Sequence, residues 1–257
     1  MRILWVNPVG SDADDAAMAA ALRAAGRPGL TGTVLSFAPG AAPAHLEYDA
    51  FEAMAVPQVV RTALHFGREG YDAMIVGCFY DTALEAAREI SGEMIVTGPC
   101  IAALEFAGAL AARFSVLSAT AKSAGHIRRR IRGYGAEGRL ASIRPLGLLP
   151  SQMLADPDAC EARIIEEATR AVEDDGAEAI VLGCTMEYRA ALRVGDRLGV
   201  PMIDAVRAPL MQAESLAHAA RHFGWKPGRV GGSVAPKACE IEAAGLMAPD
   251  IGNRVEF

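Results

Sequence analysis

Asp72-Ala73-Met74-Ile75-Val76-Gly77-Cys78-Phe79 and Glu178-Ala179-Ile180-Val181-Leu182-Gly183-Cys184-Thr185 are two versions of one pattern. Each has an acidic lead-in, a short apolar run, a glycine and a cysteine, and each is followed by a helix-like stretch. A short apolar run bounded by turn residues reads as a buried parallel strand, so each thiol falls where a strand hands over to a helix. In open α/β sheets, ligands bind at that carboxyl end of the strands.

The alternation extends outward in both directions. Strands are expected over residues 2–6, 33–37, 73–77, 94–96, 114–117, 142–146, 179–182 and 201–203. Helices are expected over 13–25, 51–69, 82–90, 101–112, 121–134, 159–174, 187–198 and 208–223. This is the signature of an α/β fold with mostly parallel sheets. After Cys78 come a helix, the strand Met94-Ile95-Val96-Thr97 and Pro99; after Cys184 come a helix, the strand Pro201-Met202-Ile203-Asp204 and Pro209. Such self-similarity predicts two pseudo-symmetric lobes, each a sheet flanked by helices, with the two cysteines facing one another across the inter-lobe cleft. The expected division puts residues 1–98 and 206–257 in a first lobe carrying Cys78, and 99–205 in a second carrying Cys184. The tail from Trp225 holds several Gly and Pro residues and one possible short helix, 236–244, with no assigned role.

At 257 residues the chain has room for one large α/β domain or two smaller ones. Its apolar fraction of 52% and charged fraction of 22% are those of an ordinary globular protein. A net charge of −6 gives no reason to expect a nucleic-acid or membrane partner. The basic cluster Arg128-Arg129-Arg130 with Arg132 reads as a solvated helix face. The amino-terminal stretch does not read as a signal peptide and no apolar run approaches a membrane span, so a soluble, cytoplasmic chain is expected. Five cysteines without close pairing or metal-type spacing predict thiols rather than disulfides, and the five scattered histidines predict no metal site.

Cys100, Cys160 and Cys239 read as small buried hydrophobes, the ordinary fate of an unbridged cysteine. Cys78 and Cys184 differ because each precedes a helix whose unpaired N–H groups and dipole would favour a thiolate. Two such groups on opposite faces of a ligand can invert a carbon: one as thiolate removes a proton, and the other as thiol delivers one to the opposite face.

At this point the chain resembles the aspartate/glutamate/hydantoin racemase superfamily, most closely its hydantoin racemase branch. The resemblance spans residues 1–222. It rests on Ile3-Leu4-Trp5-Val6-Asn7-Pro8, on Glu47-Tyr48-Asp49 leading to Ala55-Val56-Pro57, and on Gly77-Cys78-Phe79-Tyr80-Asp81-Thr82-Ala83-Leu84-Glu85. It continues through Arg113-Phe114-Ser115-Val116-Leu117, Val181-Leu182-Gly183-Cys184 and Gly199-Val200-Pro201-Met202-Ile203-Asp204. The resemblance implies two α/β lobes, no cofactor, a small-molecule substrate, a homo-oligomer, and Cys78 with Cys184 as the catalytic acid and base. It makes Asn7, Phe79, Ser118, Thr120 and Thr185 the expected substrate contacts. The chain departs from the family at Val9-Gly10, where Asn-Thr is usual, and at Thr185-Met186-Glu187, which looks partly like the amino-acid racemases.

The leading expectation is therefore a cofactor-independent racemase or epimerase of a 5-substituted hydantoin or of allantoin. An aspartate or glutamate racemase is the nearest rival and would need a cationic clamp, for which Arg207 is the residue near a strand end. Decarboxylases and cis–trans isomerases reuse the same fold, and a non-catalytic binding protein is the alternative of another class. Asp204 reads as a strand-end hydrogen-bonding residue, and His45 and His65 as surface or loop histidines.

Overall fold

Two sheets carry the chain, and each has the same strand order. A computed structural model describes residues 1–189, 194, 198–246 and 248–257. The first sheet contains β1 (Arg2–Asn7), β2 (Thr31–Phe37), β3 (Ala73–Val76) and β4 (Ile95–Thr97) in the order β4-β3-β1-β2, all parallel. The second contains β5 (Phe114–Ser118), β6 (Leu140–Pro145), β7 (Ala179–Leu182) and β8 (Met202–Ile203). Its order is β6-β5-β7-β8, again all parallel. Substituting β5, β6, β7 and β8 for β1, β2, β3 and β4 turns one topology into the other. The repeat visible around the two cysteines thus extends to whole sheets.

Contact grouping divides the chain into two units. Unit 1 comprises Met1–Gly77, Thr82–Thr97 and Leu210–Phe257; unit 2 comprises Cys78–Asp81 and Gly98–Pro209. The short segment Cys78–Asp81, expected with the first lobe, groups with unit 2. The reason is local: the Asp81 carboxylate accepts the backbone N–H groups of Cys100 and Ile101 and the hydroxyl of Tyr134, all of which belong to unit 2.

In unit 1 the centre of the sheet is wholly apolar. Ile3, Leu4, Trp5, Val6, Met74, Ile75 and Val76 are fully buried, as a parallel strand covered on both faces requires. At the carboxyl ends of β1 and β2 a polar knot forms around Asp15. Its buried carboxylate accepts Asn7 Nδ2 at 2.5 Å, Ser36 Oγ at 2.8 Å and Asn253 Nδ2 at 3.0 Å. Asn253 belongs to an element absent from the sequence reading, β9 (Ile251–Glu256), which pairs antiparallel with β2 at the sheet edge. Inward residues of β9 alternate with outward ones, the period-2 pattern of an edge strand.

Unit 2 gathers its core around β5 and β7. Leu117, Leu146, Met153, Ile164, Ala168, Ala171, Ile180, Leu182 and Val194 form one apolar cluster. The helix Pro157–Glu173 contributes Cys160, Ile164, Ala168 and Ala171, spaced so that they share one face. Asp156 caps this helix by accepting the Ala159 N–H at 3.0 Å, and Pro157 occupies the first turn, where no N–H is needed. Arg163 and Arg170 on its outer side reach the buried Glu167, and Arg170 also pairs with Glu166.

Helix boundaries differ from expectation where the backbone turns left-handed. The helix expected over 82–90 begins at Leu84, because Asp81 and Ala83 have φ of 48° and 56°. The short helix Pro150–Ala155 was not foreseen, and the expected helix over 187–198 lies largely outside the described residues. Among the described residues, no helix is long and apolar enough to cross a membrane.

The Asp15 knot supports a direct prediction. Asp15→Ala leaves the Asn7, Ser36 and Asn253 donors without their common acceptor and should lower stability by about 3 kcal/mol. Urea unfolding of the variant against the wild type measures it.

Candidate active site

Two glycines aim the two cysteines. The Gly77 N–H donates to Val6 O at 2.8 Å, and the Gly183 N–H donates to Leu117 O at 2.7 Å. Each bond joins the end of a cysteine-bearing strand to the central strand of its own sheet, β1 or β5. There is no space for a side chain at either point: a Cβ would lie 2.4 Å from Trp5 Nε1 at Gly77 and 2.3 Å from Leu117 O at Gly183. Glycine is what lets the chain pass close to the neighbouring strand and deliver the next residue to the sheet edge.

The residue three positions beyond each cysteine is a buried carboxyl. The Asp81 N–H donates to Cys78 O at 2.9 Å, and the Glu187 N–H donates to Cys184 O at 3.1 Å. Both acids are fully buried. Their surroundings differ sharply. Asp81 accepts from Cys100 N at 3.0 Å, Ile101 N at 2.8 Å and Tyr134 Oη at 2.8 Å. Glu187 has no hydrogen-bond partner for either carboxyl oxygen among the described residues.

The thiol chemistry departs from the expected picture of two helix-stabilised thiolates. Cys78 is followed by a turn, not directly by a helix, and that turn is pinned by Asp81 and by Tyr80, whose ring stacks on His126 at 3.8 Å. Cys184 opens the 3-10 turn Thr185–Glu187, and the Met186 N–H does bond its sulfur in the direction expected. That stabilisation is outweighed. Burial is the largest cause pushing the Cys184 thiol well above the usual range, and Glu187 adds to it once that acid is ionised, so at neutral pH Cys184 is held as a thiol. Cys78 is also among the groups that raise it, which places the two sulfurs within electrostatic reach of each other inside unit 2.

The other expected contacts sort by unit. Phe79, Ser118, Thr120 and Thr185 stand in unit 2 with both thiols, and Asn7 stands in unit 1. Ser118 ends β5 beside Gly183 and Cys184, because Leu117 pairs with Leu182 one step earlier. Its hydroxyl donates to Thr120 O at 3.2 Å. Thr120 caps the helix Ala121–Gly133, its Oγ1 accepting the Ser123 N–H at 3.2 Å. Phe79 and Thr185 are buried beside their cysteines. The Asn7 side chain is committed at both ends, accepting from Trp5 Nε1 at 2.7 Å and donating to Asp15. These two bonds fix its side chain at the end of β1.

Arg207 reaches Asp204 through one nitrogen of a partly exposed guanidinium. Its Nε pairs with Asp204 Oδ2 at 2.5 Å, while Asp204 Oδ1 accepts the Val206 and Arg207 N–H groups. Asp204 is the strand-end hydrogen-bonding residue expected of it. Cys100 and Cys160 are buried as expected, but Cys239 is exposed on the short helix Ala238–Ala243. None of the five cysteines is bridged. The arginine cluster is only partly a solvated face: Arg132 pairs with Glu137 at 2.7 Å, whereas the charge of Arg130 reaches Asp81 and Cys100. A cavity of about 520 Å³ lies in unit 1, lined by Arg88, Met94, Trp225 and Arg229, and contains none of the expected site residues. Among the described residues, no group of His, Cys, Asp and Glu gathers as a metal ion would require.

The buried carboxyls are the site residues that sequence reasoning passed over. Asp81 stood in a segment quoted for the resemblance and Glu187 in one quoted as a departure from it, and the shared Cys-x-x-acid spacing is the signal that could have drawn attention to them.

With this geometry in place, comparison with known proteins is decisive for the class. A model of the Asp/Glu/Hydantoin racemase family matches residues 3–213. A hydantoin racemase of Paenarthrobacter aurescens is 36% identical over 84% of this chain and 91% of its own length. The structure of an allantoin racemase from Klebsiella pneumoniae superposes with a TM-score of 0.83 at 29% identity, covering 92% of this chain and 94% of that one. Arylmalonate decarboxylase in its Gly74Cys mutant form, at 23% identity and a TM-score of 0.58 over 85% of this chain and 94% of that one, shares the fold. The chain belongs to the Asp/Glu/hydantoin racemase family and is an isomerase of the racemase type.

The Asp81 carboxyl yields a pH prediction. Burial pushes its pKa up from the ordinary 3.8 to about 6, against the opposing pull of the Ile101 N–H, the Tyr134 hydroxyl, the Cys100 N–H and the charge of Arg130. Between those values the folded chain holds a proton that the unfolded chain has released, so this group's contribution to stability falls as pH rises from about 4 to about 6. The change is on the order of 2 to 3 kcal/mol. Asp81→Asn should remove that slope, and urea unfolding of both proteins between pH 4 and 7 checks it; a pH-independent difference between them would contradict the assignment.

Proposed function

We propose that the chain is a cofactor-independent racemase or epimerase of a five-membered cyclic ureide, a 5-substituted hydantoin or allantoin, with Cys78 and Cys184 as opposed acid and base. The observation that carries the reading is the equivalence of the two thiols. Each follows a glycine that closes a central strand end, and each is held by a backbone bond from the acid three residues on. The similarity to hydantoin and allantoin racemases supports the substrate class.

In one direction Cys78, as thiolate, removes the proton from the ring carbon next to the carbonyl. The electron pair passes into an enolate-like system, and Cys184 gives its proton to the opposite face of the same carbon. The proton has then moved from carbon to one sulfur and from the other sulfur to carbon, leaving the pair in the reversed protonation state that serves the other enantiomer. The preference of Cys184 for the thiol form at neutral pH makes it the donor in the first of these directions. Charge developing on the substrate oxygen needs hydrogen-bond donors fixed in advance. Ser118, Thr120 and Thr185, at the carboxyl edge beside Cys184, are assigned that task, and Phe79 a packing contact. The ion pair between Arg207 and Asp204 favours a ureide over a free dicarboxylic amino acid, whose side chain would need that cation. A cytoplasmic homo-oligomer completes the proposal.

Single enantiomers of 5-substituted hydantoins and of allantoin, incubated with the protein in deuterated water, should lose optical rotation while deuterium enters the ring carbon. Cys78→Ser and Cys184→Ser should each lower that racemisation by about a hundredfold or more, the usual weight of a positioned acid or base. Undiminished turnover in both variants would refute the two-thiol chemistry.

A further inference from the structure

The carboxyl of Glu187 is a buried titratable group that the proposed chemistry does not use. It is fully buried, it lies one turn beyond Cys184, and neither of its oxygens has a hydrogen-bond partner among the described residues. An ionised carboxylate left without partners in an apolar setting costs several kcal/mol, and the group keeps its proton instead. The contrast with Asp81 is the second observation. At the equivalent position beyond Cys78, the acid is supplied with two backbone N–H donors and a tyrosine hydroxyl, which support a negative charge. For Glu187 the Cys184 and Gly183 N–H groups pull weakly in the same direction, but no hydrogen bond to either carboxyl oxygen forms among the described residues and burial outweighs the pull.

The groups facing Glu187 point the same way. Its own turn brings Cys184, and the helix Pro157–Glu173 brings Cys160, whose thiol burial pushes up to about 11, with Glu187 adding to the rise only once it is ionised. The helix Pro150–Ala155, which packs on this turn, carries no charged residue, and neither does β7. Cys184 and Met186 rest against the apolar cluster of Met153, Cys160, Ile164 and Leu182. A second negative charge in this pocket would oppose any thiolate on Cys184.

We propose that Glu187 is a positioning residue for Cys184: it stays a neutral carboxylic acid through the working pH range, and by holding its proton it keeps negative charge away from the sulfur when Cys184 takes its turn as base. The two groups form a coupled pair in which the second ionisation is strongly disfavoured by the first. No bond is made or broken at Glu187, and no co-reactant is needed. The catalytic meaning of the proposal rests on the two-thiol racemase reading, but its physical content is tested on the protein alone, without turnover.

The test is the rate of Cys184 alkylation by iodoacetamide against pH, read by peptide mass spectrometry in wild-type protein and in Glu187→Gln. Glutamine replaces a neutral acid with a neutral amide, so the two rates should agree within about twofold at pH 7. At high pH the wild-type acid ionises and holds the thiol back, so the variant should become about tenfold faster, one unit of pKa being a factor of ten. A variant already about tenfold faster at pH 7 would show that Glu187 is charged in the resting protein and would overturn the proposal. Superimposed curves at every pH would show that the two groups are not coupled and would overturn it equally. Infrared difference spectroscopy of the wild type covers failure of the variant to fold. A protonated carboxylic-acid carbonyl band at neutral pH that shifts when Cys184 is alkylated is expected, and absence of any such shift contradicts the proposal.

Discussion

Each of the two thiols is held by a pair of backbone hydrogen bonds, and the rest of the site depends on them. The glycine before the cysteine donates to the central strand of the sheet, and the acid three residues later donates to the cysteine's own carbonyl. The first bond fixes where the strand stops, and the second fixes how the chain turns away. Because no side chain fits at Gly77 or Gly183, the strand end lies flush against its neighbour and the sulfur emerges at a defined point of the carboxyl edge. The same device is repeated in two sheets whose parallel strands run in the same order, so the two cysteines occupy equivalent strand ends.

Within this shared frame the electrostatics are unequal. The loop carrying Cys78 is anchored by a carboxylate with three donors and by the stack of Tyr80 on His126. The turn carrying Cys184 has a buried acid whose carboxyl makes no hydrogen bond among the described residues, and a sulfur whose desolvation exceeds the help given by one N–H. Burial therefore decides the resting state of Cys184, and the amide dipole only moderates it. Both cysteines are partly buried, and the surroundings of Cys184 hold it as the thiol at rest.

The parallel strands were legible because full burial leaves an unmistakable mark: Ile3 to Val6, Met74 to Val76 and Ile180 to Leu182 are uninterrupted apolar runs bounded by turn residues. The repeat of strand order followed from the matched segments. The edge strand Ile251–Glu256 carried no such mark, since a half-exposed strand of Gly, Asn, Arg and Glu is stabilised by its pairing with β2 and by Asn253 on Asp15, partners far away in the chain. The delayed start of the helix at Leu84 was hidden for a related reason. Left-handed backbone at Asp81 and Ala83 is imposed by the tertiary bonds of Asp81, against local preference. At the site, the cysteines and their glycines stood out by symmetry. The direction of the Cys184 shift did not, because it depends on how much water the fold removes and on an acid whose burial no linear pattern reveals.

The claim that the thiols act from opposite faces of one carbon is tested most directly by hydrogen–deuterium exchange on each pure enantiomer with each single-serine variant. If the account holds, Cys78→Ser and Cys184→Ser both lose racemisation, yet each still exchanges the ring-carbon hydrogen of one enantiomer, and the two variants choose opposite enantiomers. Exchange of both enantiomers by one variant and of neither by the other would mean that a single base serves both faces, and would contradict it.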